Sequence, residues 1–165
     1  MKKAGLLIGL LMMFMPDYAD LRAQIIQSQL NQVELAKQFL GTWQENTGND
    51  TIGMWVGELY GNIVEAHIYM SVNGTRHDSY LTLIAYDGRD GKLKGCNFFP
   101  NSNFVTWVGE FTTDKIFKID GLDTFKPDVI WWKAEFEFIT PTEAIVRNFN
   151  HSGVKTFESA FVKVK

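Results

Sequence analysis

The amino-acid sequence predicts an all-β domain: an antiparallel, up-and-down β-barrel of about ten strands, preceded by one short helix. Three observations predict it. Beyond residue 40 the chain is a succession of runs rich in β-branched and aromatic residues, with 13 Phe, 5 Trp and 5 Tyr among 165 residues, and such side chains suit a pleated, half-buried surface. The runs are separated by turn dipeptides such as Asn73-Gly74, Asp90-Gly91 and Ser152-Gly153, which join antiparallel neighbours. No helical segment lies between the runs, so the crossovers that a parallel sheet requires are missing. That many strands with one helix must hide their edges. Closure into a barrel does so, with a β-sandwich as the alternative.

Taken in order, the first residues read as a secretory signal. Lys2 and Lys3 form a positive start, and Ala4 to Met15 is an unbroken apolar run closed by Pro16, too short to span a bilayer as a helix. Cleavage after Ala23, with Ala19 as the alternative, leaves residues 24–165 as one domain, secreted or periplasmic and with no membrane span. Ile25, Ile26, Leu30, Val33, Ala36, Phe39 and Leu40 then recur near helical spacing, and Gly41 stops the pattern. This spacing predicts a short amphipathic helix over about 25–40. Strands are predicted near 41–47, 52–60, 63–73, 75–87, 92–99, 103–112, 115–120, 129–139, 143–150 and 154–164.

One hairpin fixes a register. A two-residue type I′ turn at Asn73-Gly74 makes residues face each other when their numbers sum to 147, because turn type sets strand pairing. Val64 then meets Leu83, Ala66 meets Leu81, Ile68 meets Ser79 and Met70 meets His77 on one side. Glu65, His67, Tyr69 and Ser71 with their partners form the other. One face is apolar and one polar, as a single-layer wall requires.

The same alternation recurs. Ile130, Trp132, Ala134, Phe136 and Phe138 oppose Lys133, Glu135 and Glu137, with Trp131 as an exception placed outside near a rim; Val105, Trp107, Gly109 and Phe111 oppose Thr106, Glu110 and Thr112. All the apolar faces are predicted to look into one interior. Its candidate ligand-binding residues are Trp55, Ile68, Met70, His77, Leu83, Phe98, Trp107, Trp132 and Phe136.

At Phe39-Leu40-Gly41-Thr42-Trp43 a helix runs into a first strand carrying Gly-x-Trp, and this resembles the opening motif of the calycin superfamily, which includes the lipocalins. The resemblance extends over most of residues 38–165 and is similar to bacterial lipocalin-like domains. It implies that Trp43 plugs the closed end of the barrel beside Gly41 and that Lys163 packs across its ring. The chain departs from true lipocalins in lacking a Thr-Asp-Tyr type motif, the usual disulfide and a terminal arginine, and in its strand number.

Charge and motifs narrow the function. Removing residues 1–23 takes away three cations and two anions and moves the net charge from −3 to −4, so nucleic acid is a poor partner. Cys96 is alone and reads as a small buried hydrophobe in a strand. His67 and His77 fall on opposite faces and His151 lies in a turn, so no metal site of three or four ligands is in view. Some calycins hold haem through one histidine; His77 is read instead as a polar rim residue, and no cofactor is expected. Ser79 lies too far along its strand from His77 for a nucleophile and base, and no nucleophile elbow, phosphate loop or dinucleotide fingerprint occurs. The expected function is binding of a small apolar ligand inside the barrel. The alternative is a filled barrel that serves as an envelope or protein-interaction module.

Overall fold

The computed structural model describes residues 30–48, 50–123 and 126–165. The leader read at 1–23 and the start of the helix read at 25–40 lie outside the described residues. Within them the helix opens at Asn31, whose side chain accepts the Glu34 N–H at 3.2 Å, the usual way of satisfying a free first-turn amide. Helix α1 (Gln32–Ala36) runs into a 3-10 turn (Lys37–Phe39), and Leu40 returns the chain to extended geometry.

Ten strands follow: β1 (Gly41–Gly48), β2 (Thr51–Tyr60), β3 (Ile63–Val72), β4 (Thr75–Asp87), β5 (Lys92–Phe98), β6 (Phe104–Phe111), β7 (Ile116–Asp123), β8 (Lys126–Thr140), β9 (Glu143–Asn150) and β10 (Lys155–Lys163). Each pairs antiparallel with the next, and β1 pairs with β10, so the sheet is a closed up-and-down barrel. The seam is sealed by Thr42 N–H on Lys165 O and Val164 N–H on Thr42 O, both at 2.8 Å. Gly41 is required there: its φ is +96°, and a Cβ would run into the Lys165 carbonyl, so both backbone conformation and space demand glycine.

The end of the barrel nearest the helix is filled. Phe39 drops from the 3-10 turn into a ring of aromatics, with centroids 5.2 Å from Phe117, 5.3 Å from Phe136 and Phe138, and 5.7 Å from Trp55. Phe111 and Phe117 are fully buried, and Trp43 lies against Phe138 at 5.9 Å. Edge-on and tilted contacts of this kind add to the burial of the rings. Gln32, itself buried, locks the helix over this end: its Nε2 donates to Phe111 O at 3.0 Å, and its Oε1 accepts from Phe111 N at 2.7 Å. The side-chain amide thereby stands in for a neighbouring strand where β5 has not yet begun.

Two β-bulges correct the expected registers. The Asn73-Gly74 turn has positive φ at both residues, as type I′ demands, and the sum of 147 holds from Val72↔Thr75 to Tyr69↔Asp78. Ser79 is then skipped, and Ile68 pairs with Tyr80, Ala66 with Thr82 and Val64 with Ile84. One extra residue reverses which side chains face in, so Tyr80, Thr82 and Ile84 point inward while Leu81 and Leu83 lie on the outer wall. In β8 the skipped residue is Trp131, between Gly121↔Trp132 and Leu122↔Ile130. Trp132 therefore faces in, Ile130 faces out, and Trp131 stands 48% exposed with its Nε1 donating to Leu122 O at 2.9 Å.

The outer wall of β7 to β10 carries charge at mid-height. Arg147 pairs with Glu137 at 2.7 Å, Glu158 at 2.9 Å and Glu135 at 3.0 Å, and Lys133 reaches Asp120 at 3.6 Å. Cys96, free and half-buried, also lies on the outer wall, between Leu83 and Thr106, where partial burial pushes its thiol pKa up. Among the described residues no helix is long and apolar enough to cross a membrane.

Candidate functional site

Above the aromatic floor the barrel keeps a cavity of about 90 Å³, lined by Phe39, Trp55, Tyr80, Thr82, Ile84, Asn97, Trp107, Phe117, Ile119, Trp132, Ala134, Phe136, Val146 and Asn148. Its walls are built by pairing large side chains with glycine. A Cβ on Gly95 would run into the Trp107 ring, and one on Gly121 into the Trp132 ring, so each indole lies in a recess of the neighbouring strand. The indoles are also held by hydrogen bonds. Trp107 Nε1 donates to Asn97 Oδ1 at 3.0 Å, and Trp55 Nε1 donates to Phe39 O at 2.9 Å. Rings fixed in this way keep the space between them open, because neither can rotate into it without breaking a partly buried hydrogen bond.

The cavity is not purely apolar. Thr82 is 2% exposed, and its Oγ1 is the buried side-chain atom that lacks a hydrogen-bond partner among the described residues. Native interiors leave few such atoms without a partner, so the Thr82 hydroxyl is a polar group free to meet water or a ligand in the cavity. Tyr80 and Asn148 add further polar groups to the lining. Burial pushes the Tyr80 phenol up to about 12, so it stays neutral and able to donate at any physiological pH. Phe99 leans over it from the β5–β6 turn, with ring centroids 5.4 Å apart.

The predicted ligand-binding residues divide into three groups. Trp55, Trp107, Trp132 and Phe136 line the cavity together. Ile68 and Met70 share the inner face above it, because they pair with Trp55 and Gly53, and His77 sits opposite Met70 as an exposed rim residue. Leu83 and Phe98 are on the outer wall. Leu83 pairs with Glu65 and Cys96, a consequence of the Ser79 bulge. Phe98 is 43% exposed and stacks on Phe104 with centroids 6.4 Å apart. Counting from buried Leu93, positions Gly95, Asn97 and Phe99 face in and Phe98 faces out.

Trp43 is buried, and the Lys163 Nζ lies 4.7 Å from its ring centroid. Burial lowers the Lys163 pKa from its ordinary value, and the indole face offers the ammonium the compensation it has lost from water. His67 hydrogen-bonds Glu65 on the outer face at 3.1 Å. No three His, Cys, Asp or Glu side chains converge to hold a metal ion among the described residues.

Several interior polar groups escaped sequence reasoning. Tyr80 and Thr82 are hidden behind a bulge that no residue pattern announces. Asn97 was within reach, since strict alternation from Leu93 puts it inside. So was Glu45, two residues from Trp43 on the same face. The architecture defines a closed, ten-strand antiparallel barrel with a calycin-like shape, one filled end and a small internal cavity. Compared with known proteins, the chain matches no family model and no curated protein.

Proposed function

We propose that the protein is an exported, lipocalin-like barrel that binds a small, largely apolar ligand among Trp55, Trp107, Trp132 and Phe136. The observation that carries this reading is the cavity itself. Its indole walls are held apart by hydrogen bonds and glycine recesses, and it contains the unpartnered Thr82 hydroxyl. Size sets the ligand class. Drug-sized ligands occupy roughly 300–1,000 Å³, whereas this cavity holds about 90 Å³. A single ring, with any tail directed toward the open end, suits it better than a fatty acid or retinoid chain. The lipocalin-like reading is supported by Gly41-x-Trp43 with Lys163 over the indole, and export by the charged and apolar leader at residues 1–23.

Calorimetric titration with phenol-sized probes and with long-chain fatty acids tests the reading, alongside the variant Ala134→Leu, which fills the cavity. Ring-sized probes should bind the native protein, the fatty acids should not, and Ala134→Leu should abolish binding while the protein stays folded. Binding that survives Ala134→Leu unchanged contradicts the assignment. The alternative, a filled scaffold that docks a partner, draws on the exposed Phe98–Phe104 stack of the outer wall. It gains if no probe binds.

A further inference from the structure

The inner wall holds a carboxylate where an apolar-ligand barrel has no use for one. Glu45 lies on the same face of β1 as Trp43, and it pairs across the sheet with Gly53 on one side and Phe161 on the other. Trp43 and Trp55 form the adjacent pair toward the filled end, so Glu45 stands one rung, about 7 Å, closer to the open end than a wall of the cavity. Gly53 gives it room: a Cβ there would come 2.8 Å from Glu45 Oε2. The Ser159 hydroxyl donates to Glu45 Oε1, and Ser159 is the cross-strand neighbour of Val146, which lines the cavity.

On the outer wall of β7 to β10 the acids are held by cations. Glu135, Glu137 and Glu158 share Arg147, and Asp120 has Lys133. Glu45 has Ser159, and no lysine, arginine or histidine nitrogen pairs with it among the described residues. A partly buried carboxylate gains most from a charged donor when it is removed from bulk water. Here it also stands over an aromatic chamber, whose ring faces favour a cation. The buried Thr82 hydroxyl, which no protein group among the described residues engages, adds a polar group to the same chamber.

Building on the reading of the barrel as a ligand chamber, we infer that its ligand is a small aromatic or alicyclic amine. The ring occupies the cavity, and the ammonium points toward the open end and pairs with Glu45. Ser159 positions the carboxylate.

The test is calorimetric titration of the native protein and Glu45→Gln with 2-phenylethylamine, 2-phenylethanol and 3-phenylpropanoate, which share a ring and differ in the charge of the tail. The amine should bind the native protein about tenfold or more tighter than the alcohol, a charge-assisted advantage, and the anion should bind weakest. Glu45→Gln should bring the amine down to the alcohol's affinity and leave the alcohol unchanged. Ser159→Ala, which keeps the charge, should retain part of the preference. Equal affinity of amine and alcohol for the native protein overturns the inference while leaving the chamber reading standing. Undiminished amine binding by Glu45→Gln does the same. Failure of all three probes to bind overturns both.

Discussion

At the residue scale, the barrel interior is more polar than an alternation of greasy side chains suggests, and Tyr80 has the most direct consequence for stability. Its phenol is pushed up to about 12 from 10.0 by burial. Between those values the folded chain keeps a proton that the unfolded chain releases, so raising the pH favours unfolding. The stability contributed by neutral Tyr80 is fully present below pH 10 and is lost as the pH rises through about 12, a change of about 3 kcal/mol. Urea unfolding of the native protein and Tyr80→Phe across this range should show a steeper alkaline loss in the native protein. Parallel curves would show that the phenol is freely solvated. The individual residues were legible wherever alternation was uninterrupted. Trp107 and Phe136 follow from the alternation of their neighbours, whereas Trp43 and Lys163 were implied by the resemblance of Gly41-x-Trp43 to the calycin opening motif. Phe98 and Leu83 did not, because a large apolar side chain on a strand looks the same in sequence whether it faces a core or shields an outer wall.

At the element scale, ten strands were readable because each is bounded by turn chemistry and its boundaries moved little in the structure. The bulges were not readable. Ser79 is an ordinary strand residue, and nothing in its side chain signals that the chain passes it without pairing. At Trp131 the breakdown of alternation was visible, although its cause, a skipped residue that reverses the following face, was not. The helix was readable as an amphipathic segment, but its anchorage was not, since a glutamine on a helix surface ordinarily faces solvent. The two hydrogen bonds from Gln32 to the Phe111 backbone hold α1 across the barrel end. Gln32→Met keeps the volume and leaves both backbone groups buried without partners, at a cost of about 2 kcal/mol. Circular dichroism followed through urea denaturation should report that loss in the transition midpoint. A change below about 0.5 kcal/mol would mean that water reaches Phe111 without the amide.

At the scale of the whole molecule, closure of β1 on β10 leaves no free sheet edge, and the aromatic surplus of the sequence is spent unevenly along the barrel axis. Phe39, Phe111, Phe117 and Phe138 fill one end completely, while Trp55, Trp107 and Trp132 surround the space that remains. Sequence alone specified a barrel with an aromatic interior. It could not say how much of that interior would be solid, because void volume depends on where rings pack against glycine across strands. The five tryptophans also report on this division. Trp55, Trp107 and Trp132 line the cavity, whereas Trp43 is sealed in the filled end and Trp131 is outside. Fluorine NMR of protein labelled with 5-fluorotryptophan, titrated with a ring-sized probe, reads all five at once. Saturable shifts at Trp55, Trp107 and Trp132, with Trp43 and Trp131 unmoved, are the predicted result. Shifts confined to Trp131, or none at saturating probe, would contradict a guest inside the barrel.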